Sequence, residues 1–269
     1  MTVARSIILG HEVPTFKAPS SKGEIDWHKF IDGSWAMLCS HPADFTPVCT
    51  TELGTLASLQ AEFNQRGVKV AAISCNDVDA HIAWIKDIES TKWAKGKTVA
   101  YPIIADPDRT VATLYGMLDP DEKSAAGLPM TCRAVFIIGP DKTLKTSILY
   151  PATTGRNFSE VLRVIDSLQL TMRNKVATPV NWKRGDKCMV VPTLSDDQAK
   201  EIFGKPSCPD GFKCMSVPSG KGYIRLTDDP SQPSPLRSHN GLGLREIGTS
   251  VALVLLGVFA QRVAHILPA

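Results

Sequence analysis

Apolar residues in the first 170 positions form short runs that alternate with stretches of helical spacing. The runs are rich in β-branched residues and are bounded by Gly, Pro or polar clusters, which is typical of buried strands. They predict five strands, at residues 34–39, 68–74, 102–105, 133–138 and 143–150. Apolar positions three and four apart predict helices from residue 47 onward and at 78–90, 109–115 and 157–170.

The last two predicted strands should form a hairpin. Gly139-Pro140-Asp141-Lys142 is a turn sequence, so the strands on either side of it should pair antiparallel. The whole order of elements is β-α-β-α-β-α-β-β-α. This order predicts an α/β fold with a mixed central sheet and helices on both of its faces.

The character of the chain changes near residue 176. Prolines recur, and only one short helix, at 196–203, is evident. We therefore expect a smaller C-terminal appendage with little regular structure. A Ser- and Pro-rich stretch at 228–240 is typical of a linker, and residues 247–260 that follow it are fourteen uncharged, mostly apolar positions.

This apolar stretch near the C-terminus has three interpretations. Extended to Leu267, it reaches the about 20 residues that a membrane span needs, but Arg262 and His265 then lie within it. A tail anchor is the first interpretation. A helix lying on a membrane or on the protein itself is the second, and a disordered tail is the third. Membrane association through residues 247–268 therefore stays one alternative among these.

Composition and charge exclude several classes of protein. The 269 residues, 43% hydrophobic and 21% charged, are typical of a soluble globular protein with one large domain and an appendage. The net charge of +3 is not gathered into basic blocks, so we expect no nucleic-acid partner. The first residues lack an apolar core long enough for a secretory signal, and we expect a cytoplasmic protein.

Seven cysteines are present, at positions 39, 49, 75, 132, 188, 208 and 214. No two are separated by only two residues, which argues against a thioredoxin-type redox pair and a zinc site, and we expect no metal. The odd number favours free thiols in a reducing compartment. Cys39, Cys75 and Cys132 lie in or beside apolar runs and should be buried, whereas Cys208 and Cys214 flank a Pro-Asp-Gly turn and could be exposed.

Residues 41–52, His-Pro-Ala-Asp-Phe-Thr-Pro-Val-Cys-Thr-Thr-Glu, give one cysteine the surroundings of a nucleophile. Thr46 is a good N-cap and Pro47 suits the first helical position, so Cys49 should lie in the first helical turn. A sulfur there meets unpaired backbone N–H groups and the positive end of the helix dipole, and both favour the thiolate. Pro42 restricts the backbone of the segment that leads to this helix. An arbitrary cysteine in apolar surroundings is more often an inert buried side chain.

The same twelve residues resemble the active-site motif of the peroxiredoxins, Pro-x-x-x-Thr-x-x-Cys, and most closely that of the 1-Cys branch. The resemblance implies a thioredoxin-like fold and a thiol-dependent peroxidase for hydrogen peroxide and organic hydroperoxides, phospholipid hydroperoxides among them. Cys49 would be the peroxidatic nucleophile, oxidised to a sulfenic acid. Thr46, Pro42 and Arg133 would complete the site, the arginine through the match of residues 131–133 to the family's Thr-x-Arg motif.

The resemblance also gives roles to the neighbours of the cysteine. The guanidinium of Arg133 would hold the thiolate and hydrogen-bond the peroxide, and the Thr46 hydroxyl and first-turn N–H groups would donate to it as well. His41 would orient the substrate or the oxidised sulfur, or would only make a structural hydrogen bond at a strand end. Glu52 would be the partner of an arginine, or would only complement the helix dipole.

Two further segments resemble the C-terminal extension of the 1-Cys branch: residues 177–182, Ala-Thr-Pro-Val-Asn-Trp, and residues 218–221, Pro-Ser-Gly-Lys. The extension packs across a partner in that branch, which implies a homodimer. The predicted boundaries are 5–170 for the peroxidase domain, 176–227 for the extension, 228–246 for a linker and 247–268 for the tail.

The branch also implies that an external thiol reduces the sulfenic acid. Glutathione with a transferase partner, or thioredoxin, would supply this thiol, with no bound cofactor. Cys208 or Cys214 as an internal resolving cysteine is the alternative, since Ser207-Cys208-Pro209 superficially resembles the context of such a residue.

Two further functions remain as alternatives. Some 1-Cys peroxiredoxins act on phospholipids, and His28, Ser34 and Asp141 match the positions proposed for a triad in that activity. The stretch around the serine reads Asp-Gly-Ser-Trp-Ala, so it lacks the two glycines that normally permit the sharp turn at such a serine. A redox-regulated chaperone is the other alternative.

Overall fold

The computed structural model describes residues 7–204, 208 and 211–232. The described residues form twelve strands: β1 Lys17–Ala18, β2 Ile25–Asp26, β3 Trp35–Ser40, β4 Val68–Ser74, β5 Ile103–Ala105, β6 Leu118–Lys123, β7 Pro129–Thr131, β8 Arg133–Ile138, β9 Leu144–Tyr150, β10 Val176–Ala177, β11 Cys188–Val190 and β12 Leu226–Thr227. They also form seven helices: α1 Trp27–Phe30, α2 Pro47–Ser58, α3 Gln60–Gln65, α4 Val78–Ser90, α5 Thr110–Leu114, α6 Phe158–Arg173 and α7 Asp196–Phe203. The predicted tail at 247–268 and most of the predicted linker lie outside the described residues.

A five-stranded mixed sheet forms the centre of the fold, in the order β5-β4-β3-β8-β9. β3, β4 and β5 run parallel, while β8 is antiparallel to both of its neighbours, β3 and β9. Every residue of β3 and β8 is buried. Strands covered on both faces need apolar side chains at nearly every position, which explains these unbroken apolar runs. The predicted mixed sheet and the predicted hairpin are both confirmed.

Helices cover both faces of this sheet, as predicted. On one face, α2, α4 and α6 contribute Leu53, Trp84 and Phe158 to a continuous apolar core. On the other face, α1 and α5 contribute Trp27 and Val111 to a second core. Burial of apolar surface is the main favourable term in folding. Because both faces of the sheet are covered, the carboxyl end of β3 is held between two packed layers.

Four predicted elements have the predicted bounds, and the others differ by one to three residues at an end, some of them for local reasons. β4, α4, β8 and α7 match the prediction residue for residue. The helix predicted at 109–115 is shorter, because Arg109 has a left-handed φ of 63° and stands before the first turn. Asn157 caps α6 instead of belonging to it, since its side chain accepts from two backbone N–H groups of the first turn. The same helix continues past the predicted end at Leu170 to Arg173.

The apolar pattern does not predict the short strands. β1 pairs with β2 and β6 with β7, each antiparallel. β6 reads Leu-Asp-Pro-Asp-Glu-Lys, a composition that strand propensity disfavours, so its pairing is set by its tertiary context. The predicted appendage with one helix is incomplete as well, because β10, β11 and β12 form a three-stranded antiparallel sheet in addition to α7.

The C-terminal appendage has its own small core. Val176, Trp182 and Cys188 pack with Leu170 of α6, which ties the appendage to the end of that helix. The described residues through Ser231 form one compact unit. Within the described ranges, no helix is both long enough and apolar enough to cross a membrane.

Cys208 and Cys214 form a disulfide in this appendage, and both are half-buried. Their Cα atoms are 5.3 Å apart, a separation typical of disulfides. The expectation of free thiols is therefore wrong for this pair, because the two sulfurs are bonded to each other. The other five cysteines are free.

Candidate active site

The loop that joins β3 to α2 leads directly to Cys49. Thr46 precedes the helix in an extended conformation, with φ −112° and ψ 148°, and Pro47 is the first helical residue. Cys49 is thus in the first turn of α2, as predicted, and none of its surface is exposed. The sulfur lies at the end of the helix where backbone N–H groups point outward and the helix dipole is positive.

The Thr46 side chain does not cap the helix that it precedes. Its hydroxyl donates a 2.9 Å hydrogen bond to the carbonyl of Ala43, and it makes no bond to the first-turn N–H groups. Thr46 therefore holds the N-cap position without its usual side-chain bond. In this structure its proton is engaged by that carbonyl, and the predicted donation from Thr46 to the peroxide stays a prediction. The first-turn N–H groups are left for another acceptor.

The loop before Thr46 is held by buried contacts. Pro42 is buried, and the Asp44 N–H donates to Asn76 Oδ1 at 3.0 Å. Phe45 adopts a left-handed φ of 55°, although 56% of its surface is exposed. An aromatic residue rarely takes this conformation, so the surrounding hydrogen bonds, and not local propensity, determine the shape of the loop.

Arg133 contacts the sulfur directly. Its Nη1 donates to Cys49 Sγ at 3.2 Å and to Glu52 Oε2 at 2.8 Å. Its Nε and Nη2 both donate to the carbonyl of Ala152, so the guanidinium is held on two sides, and only 3% of the residue is exposed. The fold thus brings together two residues that the sequence motif links across 84 positions. A charge-assisted hydrogen bond of this kind stabilises an anionic sulfur.

Glu52 joins this arginine to a second one. Arg156 Nε donates to Glu52 Oε1 at 3.0 Å, and Arg156 Nη2 donates to Glu52 Oε2 at 2.8 Å. Arg156 also donates to the carbonyls of Ser40 and Ala134, and its side chain is completely buried. Of the two interpretations of Glu52, the structure supports the arginine partner. The sequence pattern does not predict Arg156, which lies in an irregular loop before α6.

The charges of this cluster do not balance. Burial alone would raise the pKa of Glu52, but the charge and hydrogen bonds of Arg156, with the charge of Arg133, outweigh burial and lower this pKa. Glu52 is therefore ionised and faces two guanidinium groups. One positive charge is left in surplus beside the Cys49 sulfur, and a buried surplus charge favours an anionic partner.

His41 is completely buried at the end of β3. Its Nε2 hydrogen-bonds Asp44 Oδ1 at 2.8 Å, and its carbonyl accepts from Thr131 Oγ1 at 2.6 Å. Burial lowers the pKa of His41, although Asp44 opposes the effect. The structural hydrogen bond named as one interpretation of His41 is therefore present. Its Nδ1 has no hydrogen-bond partner in the part of the chain that the structure describes.

The other free cysteines differ from Cys49 in their surroundings. Cys39 and Cys188 are buried, and burial raises the pKa of both thiols, that of Cys188 to about 11. Cys75 and Cys132 were expected to be buried but are half-buried, because they stand just after β4 and just before β8, where the sheet ends. Burial raises the pKa of these two thiols as well.

His28, Ser34 and Asp141 do not form a triad. His28 Nε2 hydrogen-bonds the carbonyl of Val13 at 2.8 Å. Ser34 Oγ donates to a neighbouring backbone carbonyl, and Asp141 accepts from side chains of its own turn. No hydrogen bond joins any two of these three side chains, all of which belong to the described residues. The absence of the two glycines around Ser34 and the absence of these hydrogen bonds both argue against a triad of these three residues.

Comparison with known proteins gives consistent matches along most of the chain. Residues 9–147 match the AhpC/TSA family, and residues 167–205 match the C-terminal domain of 1-Cys peroxiredoxin. Peroxiredoxin-6 of Gallus gallus is 55% identical over 225 residues, which cover 83% of this chain and 98% of that protein. Peroxiredoxin-6 of Homo sapiens is 51% identical with the same coverage.

Solved structures agree with these matches. The structure of a Cys-to-Ser mutant of peroxiredoxin 6 from Arenicola marina covers 84% of this chain and all of that chain, with a TM-score of 0.79 and 53% identity. A yeast mitochondrial 1-Cys peroxiredoxin covers 82% of this chain and 99% of its own, with a TM-score of 0.72 and 42% identity. The chain belongs to the AhpC/TSA family of peroxiredoxins and carries the C-terminal domain of the 1-Cys branch. It has the thioredoxin-like fold of that family and is a thiol-dependent peroxidase.

Proposed function

We propose that Cys49 is the nucleophile of this peroxidase, acting on hydrogen peroxide and organic hydroperoxides. The thiolate attacks the hydroxyl oxygen of the hydroperoxide, and the O–O bond breaks. The sulfur becomes a sulfenic acid, and the leaving oxygen takes a proton to give water or an alcohol. The 3.2 Å hydrogen bond from Arg133 to the Cys49 sulfur is the observation that carries this proposal.

Arg133 stabilises charge on both sides of the reaction. Negative charge moves from the sulfur to the leaving oxygen as the O–O bond breaks, and fixed donors aimed at that oxygen lower the barrier. The guanidinium and the backbone N–H groups of Val48 and Cys49 are these donors. When the substrate is hydrogen peroxide, the Thr46 hydroxyl oxygen accepts from the O–H of the leaving oxygen, because its own proton is engaged by a backbone carbonyl. Pro42 supports the shape of the loop.

Glu52 and His41 act as positioning residues in this scheme. Glu52 holds the guanidinium groups of Arg133 and Arg156 in place through hydrogen bonds of 2.8 to 3.0 Å. His41 orients the oxidised sulfur. The burial of all these side chains supports the scheme, since hydrogen bonds to charged groups gain strength where water is excluded.

An external thiol then reduces the sulfenic acid. The thiol condenses with the sulfenic acid to a mixed disulfide and water, and a second thiol releases Cys49. Glutathione with a transferase partner, or thioredoxin, is the proposed reductant, and the yeast relative is described as resolving via glutathione and thioredoxin systems. Cys208 and Cys214 are bonded to each other, so in this state neither has a thiol to offer.

Turnover with each reductant tests this function. Wild-type protein should consume hydrogen peroxide steadily with the thioredoxin system or with glutathione and a transferase, and Cys49→Ser should not. The double variant Cys208→Ser/Cys214→Ser should match the wild type. Loss of recycling in the double variant would assign the resolving role to that pair, and rapid peroxide consumption by Cys49→Ser would refute the proposal.

We also propose that the protein is a homodimer in the cytoplasm. In this proposal, residues 247–268 direct it to the surface of a membrane. The match to the C-terminal domain of 1-Cys peroxiredoxin supports the dimer, which would also cover exposed apolar side chains such as Leu149 and Val180, at 58% and 87% exposure. Sedimentation equilibrium should give twice the mass of the chain. The mass of a monomer would contradict the dimer. A fluorescent fusion truncated after residue 240 should lose its membrane location, and an unchanged location would contradict the role of residues 247–268.

A further inference from the structure

A chain of three buried ionisable side chains lies beside the candidate site. Asp44 Oδ1 is 2.8 Å from His41 Nε2, and Asp44 Oδ2 is 2.6 Å from His81 Nδ1. The side chains of all three residues are completely buried. Buried ionisable groups are expensive unless they are paired, so this arrangement calls for a role. The proposed reaction gives a role to His41 but none to His81.

The hydrogen bonds assign the protons of His81. Its second nitrogen, Nε2, is 3.2 Å from the carbonyl of Ile104. A carbonyl only accepts, so Nε2 carries a proton. The pKa of Asp44 is lowered to about 2, because the hydrogen bonds and charges of the two histidines outweigh the effect of burial. Asp44 is therefore a carboxylate, and His81 Nδ1 must carry a proton as well. His81 is an imidazolium paired with Asp44.

The same carboxylate fixes the form of His41. Asp44 Oδ1 only accepts, so the proton of neutral His41 is on Nε2. The lone pair is then on Nδ1, the nitrogen that has no partner among the described residues. The charged groups that face His41 are Asp44, His81 and, through its field, Arg156, and burial keeps the pKa of His41 low. A completely buried acceptor without a donor is a place for a ligand atom.

His41 is the first residue after β3, in the loop that leads to Cys49. Its carbonyl accepts from Thr131, two residues before Arg133 in the chain. Its ring centroid is 5.1 Å from that of Trp84, and Trp84 Nε1 donates at 3.1 Å to the hydroxyl of Thr50, the residue after Cys49. His41 is thus linked, through Thr131 on one side and through Trp84 and Thr50 on the other, to chain neighbours of Arg133 and Cys49.

We propose that His81 is a positioning residue of the peroxidase reaction, which acts through Asp44 to hold His41 Nδ1 as a hydrogen-bond acceptor for the O–H group at the reacting oxygen. The oxygen that Cys49 attacks keeps its proton, so the O–H of the bound hydroperoxide becomes the O–H of the sulfenic acid. One acceptor can therefore hold it before and after the O–O bond breaks. This inference rests on the proposed role of Cys49.

Kinetics of paired variants test whether His81 acts through His41. Stopped-flow reduction of hydrogen peroxide should slow by about 10-fold to 100-fold in His81→Gln and in His41→Gln, as expected when a reacting group loses its alignment. The double variant should lose no more than His41→Gln alone, because in this proposal His81 acts only through Asp44 and His41. His11→Gln, at an exposed position, is the matched control and should react like the wild type.

Nitrogen-15 NMR of the histidine rings in the wild-type protein gives a second readout that does not depend on the variants folding. We expect His81 protonated at both nitrogens and His41 protonated at Nε2 alone. A wild-type rate in His81→Gln, additive losses in the double variant, or a proton on His41 Nδ1 would overturn the inference. Peroxide consumption by Cys49→Ser would instead overturn the proposed function, so the two failures are distinguishable.

Discussion

Arg133 Nη1 lies between the sulfur of Cys49 and the carboxylate of Glu52, at 3.2 Å from the first and 2.8 Å from the second. Glu52 therefore fixes the position of the guanidinium, and the guanidinium fixes the sulfur. Arg156 binds both oxygens of the same carboxylate from the loop before α6. Three separate parts of the chain thus meet at one nucleophile, and each can be tested separately.

Replacement of Arg133 by lysine should slow the reaction with peroxide. Lysine keeps the charge but cannot donate at once to the sulfur, to Glu52 and to the Ala152 carbonyl as the guanidinium fork does. We expect the second-order rate constant from stopped-flow measurements to fall by about 100-fold, the usual effect of removing one fixed donor from a reacting site. Arg163→Lys, on the outer part of α6, is the control and should stay within twofold of the wild type. A similar rate in both variants would contradict the role of the guanidinium.

Replacement of Glu52 by glutamine should destabilise the fold. The substitution leaves two buried guanidinium groups without a counter-charge, and breaking a buried ion pair from one side costs about 3–5 kcal/mol. Urea denaturation should show this loss in the free energy of unfolding. Glu160→Gln removes a partly exposed pair with Arg163 and should cost less than about 1 kcal/mol. Equal losses in both variants would contradict the account of the buried cluster.

Acid should remove the contribution of Asp44 to stability. The folded state lowers the pKa of Asp44 from 3.8 to about 2, so its contribution is fully present above pH 4 and is lost as the pH falls towards 2. At about 1.4 kcal/mol for each pKa unit, the effect is about 2 kcal/mol. Urea midpoints of the wild type should fall more steeply over this window than those of Asp44→Asn. Parallel curves would show that the carboxylate is not held by its two histidines.

Cys188 should stay unreactive in the folded protein. Burial raises the pKa of its thiol to about 11, so the nucleophilic thiolate is scarce at neutral pH. Iodoacetamide at pH 7.5, followed by peptide mass spectrometry, should leave Cys188 unlabelled in buffer and label it in urea. Labelling in buffer at the rate of an exposed cysteine would mean that the small core around Trp182 opens readily.

The sequence predicts the strands and the helix around the site better than it predicts the side-chain contacts within the site. The apolar runs predict β3 and β8 because fully buried strands need apolar residues throughout, and the cap and proline before α2 predict the position of Cys49. Only the motif joins Cys49 to Arg133, since contact between residues so far apart in the chain has no periodic signal. Thr46 is the N-cap residue, as predicted, but its side chain makes no cap bond because its hydroxyl donates to the Ala43 carbonyl.

Arg156 and His81 are missed for different reasons. Arg156 lies in an irregular loop, where no spacing rule applies, and only its partner Glu52 reveals its position. His81 stands on the buried face of α4, where a single histidine is most simply interpreted as a core residue. Its charge is evident only from the two acceptors that face its ring nitrogens: the Asp44 carboxylate on the loop after β3 and the Ile104 carbonyl on β5.

Chemical trapping of the oxidised sulfur tests the central claim most directly. The protein is treated with one equivalent of hydrogen peroxide in the presence of dimedone, which reacts with sulfenic acids, and its peptides are mapped by mass spectrometry. We expect an adduct on Cys49 and on no other cysteine, in a yield that rises with the peroxide consumed. An adduct on another cysteine, with Cys49 unmodified while peroxide is consumed, would contradict it.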